Sequence, residues 1–150
     1  MEDFKKNTAC GNIAGFKRIE ITSCKEVHSI IPVSYNRKKV LFNNGGRFGI
    51  IDSRKIDLNI QFDDGFYNIA ISCEFAGIKT AYDSKFNGMT RDGFIAKITD
   101  NNNVVWVAGT IEEPLRFRFT HKGTPLTTGV HNYSLFFYRN TTESLCLLDE

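Results

Sequence analysis

The chain has 150 residues, enough for one domain that buries roughly 70% of the surface its unfolded form exposes. Its 41% hydrophobic and 24% charged content is ordinary for a globular protein, and a formal net charge of +2 is too small to argue by itself for nucleic acid or a membrane surface. No apolar run nears the ~18–20 residues of a membrane helix, and Met1 to Thr8 has no apolar signal core, so the sequence is read as cytosolic in origin, without a membrane segment.

Thirteen Phe against two Met and one Trp, with many Ile and Val, favour pleated sheet over helix. Cys10, Cys24, Cys73 and Cys146 lie far apart, form no C-x-x-C pair and are read as reduced thiols. Charge is uneven: residues 1–50 carry nine Lys or Arg against four Asp or Glu, and residues 51–150 carry ten against thirteen. Such a split would let copies meet head to tail, although scatter over a solvated surface is the plainer reading.

In chain order, residues 1–14 read as irregular, with small residues from Cys10 to Gly15 suited to lying against another surface. Phe16 to Thr22 reads as a strand with Lys17, Ile19 and Ile21 on one face and Phe16, Arg18 and Glu20 on the other. Val27 to Val33 follows as a second strand or part of a turn. Residues 34–48 read as a projecting hairpin or arm that adds to a neighbouring subunit, or else a local surface hairpin: the basic run Arg37-Lys38-Lys39, the apolar patch Val40-Leu41-Phe42, then the turn Asn43 to Gly46. The clearest alternation comes next. Leu58, Ile60 and Phe62 alternate with Asp57, Asn59 and Gln61, and after the turn Asp63-Asp64-Gly65 the odd positions from Tyr67 to Phe75 repeat the pattern, as in a half-buried antiparallel hairpin.

Residues 76–93 hold three glycines and admit one short helix near 79–86. Phe94 to Thr99 and Val104 to Gly109 flank the turn-prone Asp100 to Asn103, a second hairpin signal, with Val104, Trp106 and Ala108 on one face. Leu115, Phe117 and Phe119 alternate with Arg116, Arg118 and Thr120. A Gly-Thr loop at 121–130 precedes His131 to Arg139, apolar on both faces and expected at the centre of a sandwich. Leu145 to Leu148 is an apolar tail. The sum is an all-β or β-rich α+β chain of about eight strands: one antiparallel β-sandwich or barrel domain spanning 1–150, with its arm at 34–48.

Signs of catalysis are missing. His28, His121 and His131 are scattered, with no H-x-H or H-E-x-x-H spacing for a metal. Asp63-Asp64 and Glu112-Glu113 read as solvated turn acids, and no P-loop, G-x-S-x-G or G-x-G-x-x-G occurs. The expectation is a protein that is not an enzyme and carries no metal or cofactor. Arg37-Lys38-Lys39 beside Tyr35 and Phe42 has the basic and aromatic character of a nucleic-acid contact, but it is short.

The order of elements resembles bacteriophage tail-tube-type proteins. The resemblance spans nearly the whole chain: the small-residue start Cys10 to Gly15 leading into a strand, the central hairpin 57–75, the strand ending in Thr99-Asp100-Asn101-Asn102 before Val105-Trp106-Val107-Ala108-Gly109, and a closing strand, His131 to Tyr138, after the loop Thr124 to Thr128. It implies a β-sandwich or barrel with one helix, six copies to a ring, and rings stacked into a tube in the virion that conducts DNA without reading its sequence. Other tail or connector proteins would be the remaining partners. The family's helix lies before the Phe94-type strand, where this chain is broken by glycines, and the family's lumens tend to be acidic. Both departures favour a tail-completion, connector or baseplate ring over the repeating tube subunit.

The residues expected at the subunit interface are Arg37, Lys38, Lys39, Phe42 and Arg47 in the arm, Ile13 and Phe16 near the start, and Leu147 and Leu148 in the tail. The alternative is a ligand-binding β-sandwich, such as a carbohydrate-binding module that uses Trp106 or Tyr82.

Overall fold

The computed structural model describes residues 15–53, 55–76, 80–122 and 132–149, with backbone alone at Ala76, Thr80 and Lys122. Among them are eleven strands and one α-helix. Seven strands form one sheet: β1 (Phe16–Ser23), β2 (Val27–Ser34), β3 (Arg37–Phe42), β4 (Gly49–Ile51), β7 (Phe94–Asp100), β8 (Val105–Ala108) and β11 (Cys146–Leu148). Their spatial order is β2-β3-β11-β8-β7-β1-β4. The second sheet is β5-β6-β10-β9, built from β5 (Ile56–Asp63), β6 (Phe66–Ala76), β10 (Asn132–Thr141) and β9 (Arg116–Lys122). The pairings are antiparallel except that β11 runs parallel to β3. The helix α1 (Thr80–Met89) links β6 to β7.

Period-two alternation builds the main core between the sheets. Ile69, Ile71 and Cys73 from β6, Phe117 from β9, and Tyr133, Leu135 and Phe137 from β10 are buried against Ile19, Phe94, Ala96 and Ile98. Burying each large apolar side chain contributes about 1.5–3 kcal/mol. The thiol of Cys73, bonded to Ser53, is pushed up to about 12 by burial and stays protonated.

A second, smaller core lies on the other face of β7. Ile95, Val107, Val27 and Leu148 are buried there with Ile30, Val40, Phe42 and Phe48 around them. Along β8, Trp106 and Ala108 join the main core while Val105 and Val107 join the second. Thus β7 is a wall shared by two cores, which is why its sequence Phe-Ile-Ala-Lys-Ile is almost continuously apolar.

Two turns show local chemistry at work. Asp64 and Gly65 have φ of 51° and 82°, the left-handed pair that a two-residue hairpin requires. In the β7–β8 turn the carboxylate of Asp100 accepts from the backbone N–H of Asn102 at 2.8 Å and of Val104 at 2.9 Å. Its other oxygen accepts from Trp106 Nε1 at 3.4 Å.

Some expectations need correction. The stretch 34–48 does not stand clear of the body. Arg37–Phe42 is hydrogen-bonded between β2 and β11, because Val40 and Phe42 bury apolar surface in the second core. Gly46 presses so close that an added Cβ would sit 2.7 Å from the carbonyl oxygen of Glu26. Phe16 shares the core with Ile19 and Ile21 rather than facing away, because a register shift between Phe16 and Arg18 reverses the alternation there. Strands β3, β4 and β11 raise the expected count of about eight to eleven. The helix runs to Met89, anchored by Phe86 rather than by a broad apolar stripe.

Candidate functional site

The expected interface residues are placed unequally. Phe42 meets Phe48 edge-on at 5.2 Å in the second core, and Leu148 is buried beside them. Phe16 packs on the main core. Arg37 pairs with Asp149 at 3.8 Å, and Lys38 pairs with Glu143. The β3–β11 ladder therefore brings Arg37, Lys38, Leu147 and Leu148 together within one molecule. Lys39 and Arg47 remain exposed, and Ile13 lies outside the described residues. Of the ligand-platform candidates, Trp106 is turned into the main core and bonded to Asp100, while Tyr82 lies partly buried on α1.

The sheet edges offer a different candidate. In the seven-stranded sheet, edge strand β2 carries Pro32 and two register shifts, and edge strand β4 has only three residues. Proline, bulges and shortness are the devices that stop a strand from templating another chain. The four-stranded sheet lacks them. Strands β5 (8 residues) and β9 (7 residues) pair without register shifts on their inner sides and have no ladder partner on their outer sides among the described residues.

The two edges also differ in charge. The outward positions of β5 include exposed Asp57 and Asp63; those of β9 include exposed Arg116 and Arg118. Arg118 lies over the rings of Phe136 (4.8 Å) and Tyr138 (5.5 Å) on the neighbouring strand, which holds its guanidinium on the outer face of the sheet. Both charge patterns are visible in the sequence; that their strands are edges is not, since this depends on pairings far apart in the chain.

At one end of the sandwich α1 roofs an open groove of about 480 Å³. Ile21, Ile51, Phe75, Tyr82, Phe86 and Met89 form its apolar wall, and Arg47, Lys85 and Glu26 reach its rim. The helix is tied down by Asp83. One carboxylate oxygen accepts from the Tyr133 hydroxyl and meets His121 Nε2, each at 2.7 Å. The Tyr133 bond first, then the His121 bond, hold this carboxyl below its ordinary value of 3.8. A carboxyl lowered on folding contributes stability above its ordinary pKa and loses it as pH falls through the lowered one. Protection of the α1 amides, relative to their intrinsic exchange at each pH, is therefore expected to fall below about pH 4 in the native protein and to lose that acid dependence in Asp83→Asn. Unchanged protection of α1 down to the acid transition would contradict the tether.

Among the described residues, no group of three or more His, Cys, Asp or Glu side chains is placed to hold a metal ion. No described helix is long and apolar enough to cross a membrane. Comparison with protein-family models, with curated proteins and with solved structures finds no match to this chain.

Proposed function

We propose that this chain is a non-enzymatic structural subunit that closes into a homo-oligomeric ring by continuing its four-stranded sheet from copy to copy. The observation that carries the reading is the pair of regular edges of opposite charge that have no ladder partner on their outer sides among the described residues. Each neighbouring pair in this sheet is antiparallel, so β9 runs opposite to β5. Setting β5 of the next copy beside β9 keeps that alternation and needs only a rotation. Strand addition satisfies the edge backbone groups, and opposite charges facing across the new ladder add about 0.2–1 kcal/mol per pair. A head-to-tail contact of this kind makes a ring when its rotation closes. Six copies, a place in a phage tail or connector, neighbouring tail proteins and passage of DNA through the lumen belong to the tail-tube resemblance.

The test is a charge swap. Arg116→Glu/Arg118→Glu and Asp57→Lys/Gln61→Lys are each expected to stay folded by circular dichroism yet give no rings in negative-stain images. Mixed in equal amounts they should form rings of alternating subunits. Particles of about 17.0 kDa in the unmodified protein at every concentration, or rings in either variant alone, would overturn the reading. The rival reading, a ligand-binding sandwich, has the α1 groove in its favour; it requires saturable chemical-shift changes at Tyr82 on adding glycans to a stable monomer.

A further inference from the structure

The α1 groove is where the main core opens to solvent. Leu135 and Phe94, 1% and 5% exposed, lie at its floor, and Ile51, Phe75 and Met89 carry the apolar lining outward from both sheets and the helix. The aromatic wall is braced: Tyr82 meets Phe75 edge-on at 5.1 Å and stacks on Phe86 at 6.2 Å. A volume of about 480 Å³ falls within the ~300–1,000 Å³ of sites that hold small organic molecules. One lip is open because of a glycine. Gly49 pairs with Ile21 across the β1–β4 ladder, and cross-strand partners face the same way, so this position points into the groove beside Ile21. A Cβ there would meet nothing closer than the Ile21 carbonyl oxygen at 3.8 Å. The concavity is therefore room that a side chain could fill and this sequence keeps open.

The charged groups stand at the rim. Glu26 is engaged, since its carboxylate accepts from the Thr22 hydroxyl at 3.2 Å. Arg47 and Lys85 are exposed, and among the described residues neither forms a salt bridge. Two uncommitted cations against one acid leave the mouth net positive above an apolar interior. That combination selects an apolar body with one anionic end. A cationic amphiphile would be repelled at the mouth, and a neutral one would gain nothing from either cation.

We propose that the α1 groove binds a small amphiphilic carboxylate, its apolar body against Phe75, Tyr82 and Met89 and its carboxylate at the rim with Arg47 and Lys85. Arginine suits the task because a guanidinium can take a carboxylate through two parallel hydrogen bonds. The site goes beyond the ring reading and does not rest on it: no residue of β5 or β9 lines the groove.

Octanoate is the probe, titrated into the full chain below its micelle-forming concentration and followed by calorimetry and by the chemical shifts of Tyr82, Met89 and Ile51. Saturable shifts at these residues are expected. 1-Octanol should bind at least about tenfold more weakly, and octylamine more weakly still. Each CH₂ added from hexanoate to octanoate should tighten binding about fourfold. Arg47→Gln/Lys85→Gln, folded by circular dichroism, should reduce octanoate to the affinity of 1-octanol and leave 1-octanol unchanged. Gly49→Leu, which fills the lip, should weaken both. Octylamine bound as tightly as octanoate, octanoate affinity unchanged in Arg47→Gln/Lys85→Gln, or no shifts at any point of the titration would overturn the proposal. Rings in negative stain without octanoate binding would sink this site and spare the ring reading; binding by a chain that never forms rings would do the reverse.

Discussion

Replacing Phe86 by alanine is expected to cost about 3–5 kcal/mol, a large share of the ~5–15 kcal/mol that holds a typical domain together. Phe86 is 7% exposed and is the hub of the aromatic cluster under α1. Its ring lies 4.9 Å from Tyr133, 5.6 Å from Phe119, 5.9 Å from Phe117 and 6.0 Å from Phe75. Among the described side chains of α1, no other is buried to the same degree. The helix is only ten residues long and carries Gly88 in its last turn. Truncation therefore leaves a cavity and removes the main anchor of an otherwise weak helix. Urea unfolding should show the loss, and hydrogen exchange should show α1 opening before the sheets. Phe86→Leu, which keeps most of the volume, should recover more than half of the difference. A loss below about 1 kcal/mol for Phe86→Ala would mean that α1 is held by something else.

The second large effect concerns β7. Ile95→Ala and Ile98→Ala are each expected to cost about 2–5 kcal/mol, since both side chains are fully buried, but in different cores. With no shared packing partners, the two losses should add to within about 0.5 kcal/mol when combined. The double variant would then approach the whole stability of the domain. Strong non-additivity in urea titrations would show that the two cores behave as one. The Ile95 change should also loosen β2 and β3 preferentially, because Val27, Ile30, Val40 and Phe42 pack on its side of the wall.

What could be read from the sequence was what is decided locally. The β5–β6 hairpin followed from alternation around Asp63-Asp64-Gly65, and the β7–β8 hairpin from Asp100 to Asn103, whose side chains and backbone close the turn themselves. Strand β3 reads as an arm in the sequence because one of its partners, β11, lies more than a hundred residues further on, and nothing near Arg37–Phe42 announces it. Strand β4 is too short to leave a pattern. The short helix is legible only faintly, because one phenylalanine, not a periodic stripe, fastens it. For the candidate site the relevant residues were legible as types: acids on one strand, arginines on another, Phe62 in alternation with polar neighbours. Their meaning depended on register. Only pairing shows that β5 and β9 are outermost, and that Phe62 falls beyond the last layer of the core rather than inside it.

The parallel contact of β3 with β11 has a kinetic corollary. Residues 37–38 must wait for 147–148, so one flank of Arg37–Phe42 stays bare while nearly the whole chain is synthesised and threaded into place. Such distant pairing is characteristic of domains that fold in milliseconds to seconds. During that delay Val40-Leu41-Phe42 is a short, sticky, strand-forming segment at risk of joining a neighbouring nascent chain. Arg37, Lys38 and Lys39 stand immediately before it, where adjacent positive charges repel identical copies. On this view the basic run guards the unfinished polypeptide against misassociation before it makes its ion pairs in the completed one.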